Sequence, residues 1–340
     1  MAQSSRTSAF IRYLLSALVL SVVAAYFWGS SGRLSESELN QIIENEAQAG
    51  LGKDTLTVVS YNMGYLSGMT NNLPIQPDPG LYNHNLSRLI KMFQAIQPDL
   101  IGIQEIDYGS DRSLGMDQLD SLLKYCQIPF AHKSINWDKN YVPFPYWPPA
   151  VHFGRVLSGQ AILSKYPVDR GERTVLENPD NQPFYYKAFY INRLIQVAHV
   201  SIDGKRLIVM NVHLEAYDRG TRERQAQHLL QVYRDYAKQY PTLLVGDFNA
   251  RPPYAGEVDE VESTIQLFLD ELHLSAAIPK QKYLANEEEY FTYSSDRPYE
   301  KIDYIFYNDD RIDMIDSYIV REAGEISDHL PVVMKFKLLP

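Results

Sequence analysis

The 340 residues carry 32 basic and 42 acidic side chains, a net charge of −10, and 45% of them are hydrophobic. Wholesale disorder is excluded by that apolar share. The one cysteine, Cys126, excludes an internal disulfide framework and a Cys-rich zinc site, and the acidic balance excludes retention on nucleic acid by bulk charge alone.

Arg6 and Arg12 precede an uncharged run of 16 positions from Tyr13 to Trp28, which Gly29 to Gly32 terminate. A spanning helix needs roughly 17–25 apolar residues, a length reached when Phe10 and Ile11 join with Arg12 snorkelling. Residues 1–28 read as an uncleaved single-pass membrane anchor with Tyr26, Phe27 and Trp28 as an interfacial belt. The alternative is a signal peptide cleaved near Val22-Val23-Ala24, giving a secreted product. Arg6 and Arg12, set against Arg33, Glu36 and Glu38, give a positive-inside bias that puts the rest of the chain outside the cytoplasm. Residues 29–54 read as a polar stalk. Ser35 and Glu38 have capping-box spacing, and Leu39, Ile42 and Ile43 behind them predict a short helix. Gly50 and Gly52 mark the boundary of a domain over 55–340.

From Thr55 on, strand and helix patterns alternate. Thr55 to Tyr61 is β-branched and apolar, as in a buried strand. Leu86, Leu89, Ile90, Phe93 and Ile96 share one helical face that ends before Pro98. Asp99 to Glu105 is a second buried strand with polar residues at its tip, a pattern repeated over 160–164 and 207–214. Thr221 is positioned to cap a helix carrying Ala226, Leu229, Leu230 and Tyr233. Residues 242–245, 302–307 and 331–338 complete the strands. Some strands follow one another directly, which suits an α/β sandwich of mixed sheets covered by helices rather than an alternating barrel.

Six stretches place carboxylate, amide or imidazole groups straight after these strands. They are Ser60-Tyr61-Asn62, Gln104-Glu105, Asn211-Val212-His213, Gly246-Asp247-Phe248-Asn249, Lys301-Ile302-Asp303-Tyr304 and Ser327-Asp328-His329. Burying an unpaired carboxylate is expensive, and several converging would repel one another unless a cation lay between them. Hard oxygen ligands without thiolates favour Mg²⁺ or Mn²⁺.

These motifs, in this order, resemble the endonuclease/exonuclease/phosphatase superfamily over about Thr55 to Pro340. Gly246 to Asn249 and Ser327 to Pro331, with Gln104-Glu105 upstream, are the most specific pieces. The resemblance implies a four-layer αββα sandwich of two mixed β-sheets flanked by helices, behind the N-terminal hydrophobic helix. It implies that Glu105 is the main metal ligand, with Asn62 beside it and Asp328 near the metal. It makes Asp247 the group that orients or deprotonates water, Asn249 a phosphate binder and His329 a phosphate contact or acid/base. Asp303 would fix the His329 tautomer, and His213 would face the phosphate. The implied activity is in-line hydrolysis of a phosphoester, most simply a phosphodiester, with phospholipid headgroups and nucleic acid both open as substrates. A catalytically silent membrane-tethered binding module is the alternative, and no obligate protein partner is evident.

Other features read more plainly. His84, His132, His152, His199, His228 and His273 are structural or solvated, and Glu287-Glu288-Glu289 is a solvated turn. Arg112 either grips a substrate phosphate bidentately or caps a surface loop. Residues 135–154, rich in aromatics and prolines, read as a stiff loop that meets a membrane, stacks on bases or folds onto its own domain. Lys133, Lys139, Arg155 and Lys165 flank it as potential phosphate contacts.

Overall fold

The computed structural model describes residues 2–76, 78–256 and 262–340; the side chains of residues 2–7, Arg6 among them, lie outside the description. The first half runs α1 (Ala2–Ser30), β1 (Asn40–Glu44), β2 (Leu56–Asn62), α2 (Pro79–Ile96), β3 (Leu100–Asp107), α3 (Gln118–Cys126), β4 (Phe130–Val142) and β5 (Gly154–Ser164). There follow β6 (Val168–Val175), α4 (Phe184–Lys187), β7 (Leu194–Ile202), β8 (Lys205–His213), α5 (Arg219–Ala237) and β9 (Thr242–Asp247). The last part holds α6 (Ser263–Leu269), β10 (Leu274–Ala276), α7 (Lys280–Ala285), β11 (Asp303–Asn308), β12 (Ile312–Ile319) and β13 (Val332–Leu338).

The strands form two mixed sheets, one ordered β1-β4-β5-β3-β2-β13-β12 and the other β10-β11-β9-β8-β7-β6. Among the described strands, only β2–β3 and β8–β9 pair in parallel, and α2 and α5 respectively supply those crossovers. Side-chain alternation explains the layering. On β8, β9 and β11, Val209, Leu243, Val245 and Ile305 join the core that also holds the first sheet, α2 and α3. Their neighbours Met210, Leu244, Tyr304 and Phe306 face the other way, under α5 and α6. The result is helix, sheet, sheet, helix, the expected four-layer sandwich.

Polar groups lock the two sheets together. Gln104 Nε2 donates to Asn211 Oδ1 at 2.6 Å, and Asn211 Nδ2 donates to Gln196 Oε1 at 3.0 Å. Gln104 and Asn211 therefore hold the sheets in register, and both are fully buried. Their strand-tip partners Glu105 and His213 carry the polarity onward to the surface.

Three local expectations are corrected. Ser35 and Glu38 do form the capping box, but it closes one 3-10 turn, and Ile42 and Ile43 then lie on β1, antiparallel to β4. The segment read as a stalk thus contributes an edge strand to the first sheet, because Asn40 accepts from Ser134 Oγ and donates to the Gly171 carbonyl. Residues 135–142 belong to β4 rather than to a loop; the prolines begin only at 143, where the strand stops. The cap of α5 is Asp218, whose carboxylate accepts from the Thr221 N–H, so Thr221 sits inside the first turn.

Helix α1 contains one apolar stretch, Ser8–Ser30, of 23 residues with mean hydropathy 1.9, exposed along nearly all its length up to Ala25. Its length and composition suit a membrane anchor or a signal sequence. Its C-terminal end is fastened to the domain. Trp28 stacks on Tyr141, Asn140 Nδ2 donates to the Trp28 carbonyl, and Lys139 Nζ donates to the Ser30 carbonyl.

Candidate active site

Strand register sets the first row of the site. His213 lies opposite Asp247 on the parallel pair β8–β9, and Asp303 lies opposite Asp247 on the antiparallel pair β9–β11. Directly paired residues point to the same face, here the face turned toward the first sheet. Gly246 permits this arrangement: its φ is +153°, and a Cβ there would come within 2.1 Å of the Val212 carbonyl oxygen.

The first sheet answers with Asn62 and Glu105. Asn62 ends β2, and its Nδ2 donates to Asp247 Oδ2 at 3.0 Å across the gap between the sheets. Glu105 follows Gln104, which points inward, so a regular strand would turn it outward. A register shift between Ile103 and Ile106, with Glu105 at φ +52°, re-aims its carboxylate into the same mouth. A bulge carrying a non-glycine residue in the left-handed region is a device found beside functional sites. Asn249 is also left-handed, at φ +50°, a conformation that Asn tolerates.

Glu105, His213, Asp247, Asn249, Asp328 and His329 line one cavity of about 420 Å³. His213 bridges two of its acids, with Nδ1 3.9 Å from Glu105 Oε1 and Nε2 3.5 Å from Asp247 Oδ2. His329 Nδ1 donates to Asp303 Oδ2 at 2.9 Å, which leaves Nε2 facing Asp247 Oδ2 at 3.8 Å. Asp303 and Asn62 lie beneath the cavity rather than on its wall. Asn62, expected beside Glu105 as a ligand, is committed elsewhere: its Oδ1 accepts the Gly64 N–H and its amide braces Asp247.

Asp247, Asp303 and His329 each place an atom within 4.8 Å of the others, a spacing that suits a metal. Asp303 already occupies the imidazole, however, through the 2.9 Å hydrogen bond from His329 Nδ1. The cation position fits better at Glu105 and Asp328, whose carboxylates share the Asn71 amide at 3.0 and 3.4 Å.

Charge balance supports a cation. Burial and then Asp328 raise Glu105 above the usual carboxylate range. Burial and then Asp303 push Asp247 up to about 7. Burial opposes charging of His329, yet Asp303 and Asp247 together hold it well above an ordinary histidine. Burial, aided by Arg193 and His329, holds His213 well below. Acids forced to keep protons in a polar cavity are what a divalent ion would relieve.

A pH dependence follows. Asp247 is raised in the fold, so its contribution to stability is complete below an unfolded value of about 4 and is lost as pH rises through about 7. Glu105 acts in the same direction. A bound cation cancels that loss, because it takes the carboxylates in their ionised form. The rise in thermal midpoint produced by millimolar Mg²⁺ should therefore grow from pH 5.5 to pH 8. A Mg²⁺ increment that is constant, or larger at pH 5.5, would contradict this electrostatic account.

Sequence motifs did not reveal several wall residues. Asn71 reaches in from the loop after β2. Arg193 is buried, 3.7 Å from Glu215 Oε2, and its Nε has no hydrogen-bond partner. The Tyr293 ring lies 5.0 Å from the His329 ring, and Tyr217 stands exposed at the rim. Arg112, by contrast, does not enter the cavity: its guanidinium grips Asp107 at 2.8 and 3.0 Å and stacks on Tyr65. The cations flanking the aromatic segment are likewise engaged, Arg155 with Asp138 at 2.5 Å and Lys165 near Asp99 at 3.8 Å.

A family model described as the Endonuclease/Exonuclease/phosphatase family matches residues 59–329. No curated protein matches the chain. Among solved structures, an endonuclease/exonuclease/phosphatase from Beutenbergia cavernae superposes with a TM-score of 0.60 at 19% identity, over 84% of this chain and 72% of that one. The human Nocturnin catalytic domain with bound sulfate gives 0.57 at 17% identity, over 88% and 98%. A mannosyl-6-phosphatase from Bacteroides thetaiotaomicron gives 0.55 at 17% identity, over 84% and 100%. At such identities the likeness is one of fold.

Proposed function

The chain belongs to the endonuclease/exonuclease/phosphatase family, a family of phosphoester hydrolases, and from that premise we propose that it is a divalent-cation-dependent phosphodiesterase. The observation that carries this reading is the single cavity in which Glu105, His213, Asp247, Asn249, Asp328 and His329 meet above the buried Asp303. A silent binding module has no need of an imidazole held between two carboxylates.

Glu105 and Asp328 would hold Mg²⁺ or Mn²⁺, with Asn62 steadying the neighbouring Asp247. Bound there, the cation would supply Lewis-acid stabilisation of charge on the phosphoryl and departing oxygens. Asp247 Oδ2 accepts the proton of a water as its oxygen attacks phosphorus in line with the departing group. Asn249 and His213, held neutral, orient the non-bridging oxygens. Asp303 keeps the His329 Nδ1–H engaged, so Nε2 is the atom presented to the phosphoryl group. The buried Arg193, with its free Nε, adds a fixed positive charge on the same wall.

Helix α1 supports a single-pass anchor, since the exposed, uncharged surface over residues 13–25 suits a non-aqueous environment, and Arg6 and Arg12 ahead of it favour placing the domain outside the cytoplasm. Cleavage as a signal sequence is the competing fate. Mass spectrometry of the membrane fraction distinguishes them, because retention predicts the intact N-terminal peptide.

Hydrolysis of bis(p-nitrophenyl) phosphate should vanish in EDTA and return with Mg²⁺ or Mn²⁺. A well-folded preparation that turns over no phosphoester with either ion would refute the enzymatic reading.

A further inference from the structure

A second cavity, of about 450 Å³, adjoins the first and shares Glu105, Arg193 and Tyr217 with it. Its size falls within the range of small-molecule sites, and its character is different. One wall is Trp137, Phe144 and Phe153; the other is Tyr186, Phe189 and Tyr190, from the turn that begins at α4. Edge-to-face contacts order the first wall, with Phe144 5.3 Å from Phe153 and Trp137 6.1 Å from Phe153. Hydrogen bonds tie the walls to the body: Trp137 Nε1 donates to the Phe189 carbonyl at 2.9 Å, and the Tyr190 hydroxyl donates to Glu215 Oε1 at 2.6 Å.

The same wall also seats the end of the apolar helix. Tyr26 of α1 packs edge-on against Phe184 at 6.1 Å and Phe189 at 5.7 Å. Around this junction Phe184 and its ring neighbour Tyr185 are 74% and 58% exposed, placing large aromatic groups on the surface from which α1 emerges. Aromatic side chains so placed suit a membrane–water interface. The charges needed to track a polynucleotide backbone are meanwhile spent internally. Lys139 holds the end of α1, Arg155 holds Asp138 and Arg112 holds Asp107.

We propose that this aromatic groove is a tail subsite: it receives the apolar part of a membrane-resident phosphodiester lipid while the phosphodiester lies in the adjoining polar cavity. The proposal rests on the phosphodiesterase reading and adds the substrate class to it. Fastening α1 to the groove wall keeps the groove mouth at the bilayer surface, so a lipid would pass from bilayer to site without crossing water.

The test uses the full chain in nanodiscs and a series of alkyl p-nitrophenyl phosphodiesters with two to eight carbons, kept below micelle formation. Burial of each methylene is worth about 0.8 kcal/mol, so kcat/KM should climb about fourfold per carbon while the groove fills. Phe144→Ser and Phe189→Ser should flatten the series, lowering kcat/KM for the eight-carbon substrate far more than for the two-carbon one. Phe189→Leu, which keeps an apolar wall, should retain most of the slope, and Tyr125→Ser, at an exposed site on α3 outside the groove, guards against misfolding as the cause of any loss. A flat series in the parent protein overturns the tail subsite. So does inhibition by a single-stranded oligonucleotide that Phe189→Ser relieves, which would make the groove a base-stacking surface. Failure to hydrolyse any phosphodiester is a different result, and it removes the underlying catalytic reading.

Discussion

Asp247→Asn should lower kcat on bis(p-nitrophenyl) phosphate by about 10²- to 10⁴-fold, the span expected when a positioned proton acceptor is lost. The substitution is nearly isosteric, and the Asn249 N–H can still donate to the remaining side-chain oxygen as it does to Asp247 Oδ1 at 2.9 Å. KM should therefore change little, because the contacts that seat the substrate stay in place. Asp303→Asn should produce a comparable fall for a different reason. It touches no substrate, but by accepting from His329 Nδ1 it holds Nε2 as the nitrogen that faces the cavity. The double variant should then lose less than the product of the two single effects, since the water held by Asp247 and the imidazole oriented by Asp303 serve one transition state. Rapid-quench or steady-state kinetics of the three variants decides the matter. Independent, multiplicative losses would mean that Asp303 only supports the fold.

The parts of this site legible in the sequence are those where a strand tip and a chemical group coincide. Asp247 and His213 could be located because an apolar run ends at each, and Asp303 because a strand begins there, and register then aligns them. The bulge at Glu105 was hidden, although Glu105 itself was not. Alternation alone would have turned it outward, and only the left-handed φ shows how it enters the mouth. Asn71, Arg193 and Tyr293 gave no signal, because each comes from a segment whose local pattern is ordinary. Their role arises from long-range packing, such as the approach of Tyr293 to His329.

The fold was readable wherever burial dictates period, as in the inward and outward faces of β8 and β9. It was misread where a short edge element depends on its partner. Residues 40–44 carry two isoleucines spaced for either a helix or a strand, and pairing with β4 settles the choice. Residues 135–142 depart from the expected loop for the reverse reason: the prolines lie further along the chain, and this stretch contains none. Gln104 and Asn211 show a related ambiguity. Both sit at polar strand tips like the site residues, yet inter-sheet hydrogen bonds use them as a lock.

Arg112→Met should destabilise the domain by about 3–5 kcal/mol, the usual consequence of stranding one member of a buried ion pair. Both side chains are almost fully covered, 7% exposed for Arg112 and 0% for Asp107. The guanidinium donates twice to Asp107, once to Ser158 Oγ, and stacks 3.4 Å above the Tyr65 ring. Met replaces the length of the stem and some of the stacking, but none of the donors. Ser110 and Ser158 still donate to Asp107 Oδ1 at 2.8 and 2.6 Å, so the carboxylate keeps hydrogen bonds and loses its counter-charge. Adding Asp107→Asn should recover a large part of the loss, because the stranded charge disappears. Urea unfolding reads both changes, with the midpoint falling and the m-value unchanged. A loss below about 1 kcal/mol would place the pair among solvated ones, where such contacts contribute little. The effect should also reach the chemistry: Asp107 follows the Glu105 bulge by two residues, and Tyr65 lines the groove beside it. A preparation of Arg112→Met that remains folded at low temperature should need more Mg²⁺ for half-maximal turnover. Asp107→Asn/Arg112→Met should restore that requirement in parallel with stability, tying the rigidity of the bulge to the grip on the cation.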